Sequence, residues 1–560
     1  MMRANPLNSD LLSHTEPTKE ESPPDPGGAK SEAGGPVSSS EPMSSSGSAG
    51  FRTILFPPGR EYERRERQEP PACFIDLNLD QILGAVLSRP EEEPLRPIYY
   101  STYRDADIIR YRQSVFRDLE QARILAPFPP FRETMRSVRA NLDYATKISY
   151  KRHRQMVHLR AIHLYCQAVQ DLGRALDELD LNAAGLKDLR RYLADYTGSD
   201  AFGRLSGETR DLRAMLSKLN YGTLFRGDEV IVRKYAGEPD YTGTVLDRFS
   251  RFRDSATAVR PAPAFRDDFS LNHIEEGILE FVGRLFPKEF RALEDHVARY
   301  PDFIDEVIAN LDHEIGFFTV YLAFIEPLRQ AGLPFCHPEV SATSKETEVQ
   351  DGFDLALAAK LTADRQTVVR NDFHLHGAER LLVVSGPNQG GKTTFARMFG
   401  QMHFLAGLGC PVAGQRARLF LPDQVFTHFE REEDITNLRG KLEEELVDLH
   451  ETCQRMTSNS LVVLNEIFNS TSLDDQIFLS TKVLEYILAI DALGVCVTFI
   501  DGLSMLGEKT VSMVGNVMPD DPARRSFKIL RRRADGLAYA LSLAEKRGVT
   551  YERLRARVRA

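Results

Sequence analysis

Two short stretches carry side chains whose types and spacing point to phosphate chemistry. In LLVVSGPNQGGKTTF, an apolar run is followed by Gly386, four residues, and then Gly391-Lys392-Thr393, after which FARMFGQMHFLAG reads as a helix. A loop of this spacing between strand and helix can wrap phosphates with its backbone N–H groups. The residues in contact would be Gly386, Pro387, Asn388, Gln389, Gly390, Gly391, Lys392, Thr393 and Thr394. Lys392 would reach the β and γ oxygens, and Thr393 would offer its hydroxyl to Mg2+, so ATP is the expected cofactor. A chance glycine-rich turn is the competing reading.

The second stretch is LVVLNEIFNSTS, where four apolar residues precede Asn465 and Glu466. A strand ending at a nucleotide site is expected to present Asp-Glu, the Asp on the metal side and the Glu beside the attacking water. Glu466 fits the second role. Asn465 stands where the metal-side carboxylate is expected, and a solvated polar strand end is the bland alternative.

The elements that would position these residues follow from length and pattern. At 560 residues the chain exceeds one hydrophobic core, and about 150 residues per domain suggests three or four units. Hydrophobic residues at 42% and charged residues at 27% indicate neither wholesale disorder nor a membrane protein. No apolar run approaches the roughly 20 residues of a membrane span and no signal pattern opens the chain, which predicts a cytoplasmic protein. Cys73, Cys166, Cys336, Cys410, Cys453 and Cys496 are too scattered for a zinc knuckle or a disulfide framework. The net charge of −10 gives no general attraction to nucleic acid, although Arg524 to Ala560 holds twelve Lys/Arg against three Asp/Glu.

Residues 1–50, rich in Pro, Gly, Ser and Glu, read as a disordered tail. Residues 51–105 read as a lead-in segment, with Leu79, Ile82, Leu83 and Val86 at helical spacing. Helical periodicity dominates 106–335, with stripes at Leu172, Leu176 and Leu179, at Ile274, Ile278, Phe281 and Leu285, and at Ile304, Val307, Ile308, Leu311, Ile315 and Phe318. YGTLFRGDEVIVRKY interrupts it with a hairpin signal, about 220–236, around Gly227-Asp228. From 336 to 560 short β-branched runs alternate with helices: LLVVSG, QVFTHF, LVVLNE, VCVTFI and FKILRR.

GPNQGGKTT resembles the GPN-x-GGK-[ST] phosphate loop of the MutS mismatch-repair ATPases. LGCPVAGQRARLFLPDQVFTHF is similar to the segment that follows it in that family, through Asp423, Val425, Phe426, Thr427 and His428. NEIFNSTSLDD resembles the D-E-I-G-R-G-T-S run, through Glu466, Ile467, Thr471 and Ser472, and ADGLAYALSLAEKRGV resembles a later family run. VVRNDFHL is similar to the family segment near the adenine, which implies that Asn371 contributes to cofactor binding. The resemblance implies a multidomain chain: an all-α lever and core with a small β-hairpin insertion as a reduced clamp, then an α/β P-loop ABC-type ATPase domain. It also implies Thr393 and Asn465 as the metal side, Glu466 as the catalytic residue, and a homodimer through composite ATP sites. Nothing before Ala106 resembles the mismatch-reading domain, and no Smr-type tail is expected.

Departures from the family accompany the match. Asn465 removes a charge while keeping an oxygen. The family histidine of F-A-T-H falls at Gly502 in FIDGL, with Asp501 beside it. The S-T-F signature appears as Gly440-Lys441-Leu442, where backbone N–H groups at a helix start, with Arg439 or Lys441, replace a hydroxyl. Together these suggest a nucleotide switch with slow turnover.

DNA contacts are expected from Arg226, Arg233 and Lys234 beside the hairpin. Lys151, Arg152, His153, Arg154, His158 and Arg160 make a basic helical face, and Arg531 to Arg533 a basic run, and such runs are usually solvated surface. Three readings compete: a MutS-superfamily ATPase that reads mismatched or branched DNA by shape, a nucleotide-gated dimerisation scaffold that binds a protein, and an SMC-type ATPase. The last is disfavoured by short, proline-interrupted helices without sustained heptads.

Overall fold

The computed structural model describes residues 51–61, 64, 66–227, 229–237, 271–387, 389–429, 440–518, 521–534 and 555. The tail 1–50, the turn residue Asp228, the loop residue Asn388, Arg439 and the segment 535–549 lie outside them.

The first part of the chain is mostly helical. Its longer helices are Ala106–Leu119, Phe128–Lys147, Lys151–Asp177, Ala184–Gly198, Asp200–Leu216, His273–Leu285, Pro287–Arg299 and Glu306–Gln330. Their starts are chemically marked. Asp105 accepts from the N–H groups of Asp107 and Ile108, and Asn272 and Glu275 cap one another's ends reciprocally. Leu172 and Leu176 are buried, as are Ile308, Leu311, Ile315 and Phe318. The stripe on helix His273–Leu285 is only partly covered, with Ile274 50% and Phe281 48% exposed. Here Val282 and Gly283 turn inward instead, and a Cβ at Gly283 would lie 2.0 Å from the Arg152 guanidinium.

The hairpin forms from β1 (Tyr221–Arg226) and β2 (Glu229–Lys234), with Leu224 opposite Ile231 and Arg226 opposite Glu229.

The later part is rich in strands: β3 (Phe335–Cys336), β4 (Glu339–Ser341), β5 (Thr347–Gly352), β6 (Asn371–Leu375), β7 (Leu381–Ser385), β8 (Val412–Ala413), β9 (Arg416–Phe420), β10 (Val425–Phe429), β11 (Leu461–Asn465), β12 (Leu493–Val497), β13 (Thr510–Met518) and β14 (Asp521–Arg531). The principal sheet has the order β10-β11-β12-β7-β13-β14. Its first five members are parallel and β14 is antiparallel to β13. Within this sheet β13 is the strand the sequence pattern did not reveal, and it lies directly beside β7. A second sheet, β4-β9-β5-β6, flanks it.

Residues 51–105 pack between the two parts. Arg397 donates to the Asp76 carbonyl, Gln401 to the Leu77 carbonyl and Thr427 to the Asp76 carboxylate. Buried Arg112 donates to the carbonyls of Leu55 and Leu408. Glu314, fully buried on helix Glu306–Gln330, takes hydrogen bonds from Thr53, the Ile54 N–H and Arg64. Burial pushes its carboxyl up despite those donors. One hydrophobic core runs from Phe51 to Ile529. No described helix is long and apolar enough to cross a membrane.

Candidate functional site

The site is built where the parallel strands end. β7 is buried throughout and stops at Gly386, whose φ of 121° and close neighbour admit only glycine: a Cβ there would lie 2.9 Å from the Gly515 nitrogen on β13. The chain then turns through Pro387, Gln389 at φ 58° and Gly390 to Gly391, which caps helix Lys392–Leu408 at φ 90°. Backbone donors of the first helical turn therefore face the loop they close, an arrangement that favours an anion.

Lys392 folds back over this loop. Its Nζ donates to the Gly386 carbonyl at 2.9 Å and lies 3.8 Å from the Glu466 carboxylate. The Thr393 hydroxyl donates to Asn465 Oδ1 at 2.9 Å. Thr394 is half-buried. Residues more than seventy positions apart are thus brought to one place by the pairing of β7 with β12 and of β12 with β11.

The turn after β11 is held open by unusual backbone. Glu466 and Phe468 have φ of 56° and 58°, the left-handed region that side chains rarely occupy. The Glu466 N–H donates to the Val497 carbonyl at 2.9 Å, and the Phe468 N–H to Glu445 at 2.6 Å. Glu445 also shares a hydrogen bond with His428, and Gln476 donates to the Ile467 carbonyl. Glu445 is a support that sequence reasoning missed, since only the fold brings helix Lys441–Arg455 under this turn.

Other expected residues fall differently. Asn371 does lie near the loop, yet its amide is committed to β14: Oδ1 accepts from the Ile529 N–H at 2.8 Å and Nδ2 donates to the Phe527 carbonyl at 3.3 Å. Its neighbour Phe527, 48% exposed, is the residue beside Gly391. Gly502 is exposed in the turn Asp501–Met505. The residue of this segment that reaches the site is Phe499, whose ring centroid is 3.6 Å from Lys392 Nζ. Its only signal in the sequence is an aromatic one residue past an apolar run, after Thr498. Gly440 caps helix Lys441–Arg455, as its sequence suggested.

Part of the basic helical face is paired within the chain. Lys151 pairs with Glu294, Arg152 with Glu280 and His153 with Glu276, while a ring nitrogen of His158 meets the Tyr300 carbonyl. Arg154 is exposed and Arg160 half-buried. Arg226, Arg233 and Lys234 are exposed on the hairpin, with Lys234 above the Phe286 ring. Arg531 is paired with Glu379.

Comparison with known proteins bears on the strand-rich part. Residues 382–545 match the family model for MutS domain V. A DNA mismatch repair protein MutS of Geobacillus sp. (strain WCH70) is 33% identical over 301 residues, 53% of this chain and 33% of that protein. Those of Halalkalibacterium halodurans and Brevibacillus brevis are 31% and 29% identical over 220 and 214 residues, each 38% of this chain and 23% of the relative. The chain therefore spans a third or less of the length of these relatives. Together, the matched region and these partial alignments make the strand-rich part of this chain similar to MutS domain V.

Proposed function

We propose that this chain is an ATP-dependent DNA-binding protein of the MutS superfamily, acting on mismatched or branched DNA in repair or recombination with slow ATP hydrolysis. The observation that carries the nucleotide reading is the convergence of Lys392 and Thr393 with Asn465 and Glu466. The loop from Gly386 to Thr394 wraps the phosphates, and Lys392 neutralises their charge. Glu466 orients the attacking water and accepts its proton as the bond from the γ-phosphorus to ADP breaks. Thr393 and Asn465, joined by a 2.9 Å hydrogen bond, present hard oxygen atoms that would hold a magnesium ion, which would supply charge stabilisation there. With a neutral amide at Asn465 the binding is weaker than a carboxylate would give.

Dimerisation through composite sites is supported by apolar exposure next to the turn. Leu473 is 63% and Phe478 61% exposed on helix Leu473–Ala489, and Met505 75% exposed. The DNA reading rests on the family domain and the exposed hairpin cations, with backbone contacts and shape as the means of recognition. A second reading, a nucleotide-gated scaffold with a protein partner, is favoured by the internal pairing of the basic helix. Gel shifts with homoduplex, mismatched and branched DNA, with and without ATP, decide between them. Salt-sensitive preference for branched DNA that changes with ATP is expected. Absence of DNA binding at any salt, in a protein that dimerises with ATP, would transfer the case to the scaffold.

A further inference from the structure

Lys392 is the cation that the proposed phosphates must reach, yet its side chain is only 4% exposed. Part of its cover is the Phe499 ring, 3.6 Å from Nζ to the centroid. The ring itself is 47% exposed and belongs to no hydrophobic cluster among the described residues. Its backbone, by contrast, is fastened on both sides. The Thr498 N–H donates to the Val384 carbonyl at 3.0 Å and the Ile500 N–H to Thr498 Oγ1 at 3.0 Å. Beyond it the Leu503 N–H bonds the Ile500 carbonyl and Ser504 the Asp501 carbonyl. The ring can therefore swing about its side-chain torsions while the strand end stays in place.

Of the three ammonium N–H bonds of Lys392, one goes to the Gly386 carbonyl and the ring covers the side of another, so a phosphate oxygen approaching that side must displace the ring. With Nζ also donating to Gly386, the loop's own first residue, the lysine is satisfied by the chain itself. We propose that Phe499 is an aromatic latch on Lys392, closed over the ammonium in the nucleotide-free protein and displaced by the β and γ phosphates of a nucleoside triphosphate. The latch rests on the nucleotide reading above and gives that site a threshold. Triphosphate binding must break the ring contact, and the freed ring then moves just before the turn Asp501–Met505 with its exposed Met505.

The test uses the full chain with Phe499→Ala and Phe499→Leu, neither of which empties a core position. ATP with magnesium is titrated by calorimetry, and acetylation of Lys392 by a small amine-reactive ester, without nucleotide, is followed by mass spectrometry. Phe499→Ala is expected to bind ATP about threefold or more tighter than wild type and to acetylate faster at Lys392. Phe499→Leu, which keeps apolar cover but lacks a π face, is expected to bind tighter with a smaller gain in acetylation. Wild type that binds ATP alongside a Phe499→Ala protein that binds it no tighter overturns the latch alone. Wild type that binds no ATP sinks the nucleotide reading and the latch with it.

Discussion

The two ends of the principal sheet use charge in opposite ways. At the starting ends of the strands, Asp491 precedes β12, Arg380 precedes β7 and Lys509 precedes β13. The Asp491 carboxylate receives Lys509 at 2.8 Å, Lys345 at 2.9 Å and Arg380 at 3.0 Å. Burial raises its carboxyl, but the three cationic donors outweigh that and hold it well below the usual carboxylate range. At the finishing ends, Lys392 meets a carbonyl, an aromatic ring and a carboxylate 3.8 Å away. One end is a closed electrostatic knot that fastens strands together. The other holds its cation against weaker partners that an anion can displace. Cations hydrogen-bonded to a carboxylate shared between strands serve stability, whereas a cation held loosely at a glycine-rich loop is available to a ligand.

Substitutions at the two ends test this contrast. The largest effect is expected from Glu466→Gln, which keeps ATP binding but slows hydrolysis about a hundredfold or more in a phosphate-release assay. Unchanged turnover would remove Glu466 from the reaction. Lys392→Ala is expected to weaken ATP binding about tenfold or more, in line with about 1.5–3 kcal/mol for a charge-assisted bond. An affinity equal to wild type would mean that the loop does not hold the phosphates.

At the opposite end, Asp491→Asn is expected to leave ATP affinity unaltered and to lower stability by about 1 kcal/mol, a small value because the carboxylate is partly screened by solvent. The folded carboxyl titrates below the unfolded one. Its stabilisation is therefore present above about pH 4 and is lost as pH falls through the folded value. Thermal melts should thus separate wild type from the Asn variant at pH 7 and converge as the solution is acidified. Divergence on acidification would contradict the assignment. The smallest change is expected from Asn465→Asp, which restores a carboxylate beside Thr393 and should lower the magnesium needed for half-maximal hydrolysis a few-fold. A variant with the same magnesium dependence would place Asn465 outside the metal's reach.

Much of this arrangement is legible in local patterns, and what is not has identifiable reasons. The loop from Gly386 to Lys392 can be read because its glycines and lysine are fixed by spacing within one turn of chain. The hairpin is legible from Gly227 between two β-rich runs, and the start of helix Lys441–Arg455 from Gly440. β13 escapes notice because TVSMVGNVM has neither a long apolar run nor clean alternation, and its burial comes from lying between β7 and β14. The basic stretch from Lys151 to Arg160 reads as a solvated face or a polyanion surface, and its acidic partners Glu276, Glu280 and Glu294 arrive more than a hundred residues later.

The sequence by itself determined the kinds of element, the loop that could take phosphates and the polar pair at Asn465 and Glu466, because backbone preference and side-chain periodicity act over a few residues. Only the tertiary structure decided which side chains meet. It placed Asn465 against Thr393, set Phe499 rather than Gly502 over Lys392, tied Asn371 into β14 and closed three cations around Asp491. Those contacts depend on strand order and on side-chain direction at strand ends. Both are fixed by packing across the whole core, and neither is encoded in the spacing of neighbouring residues.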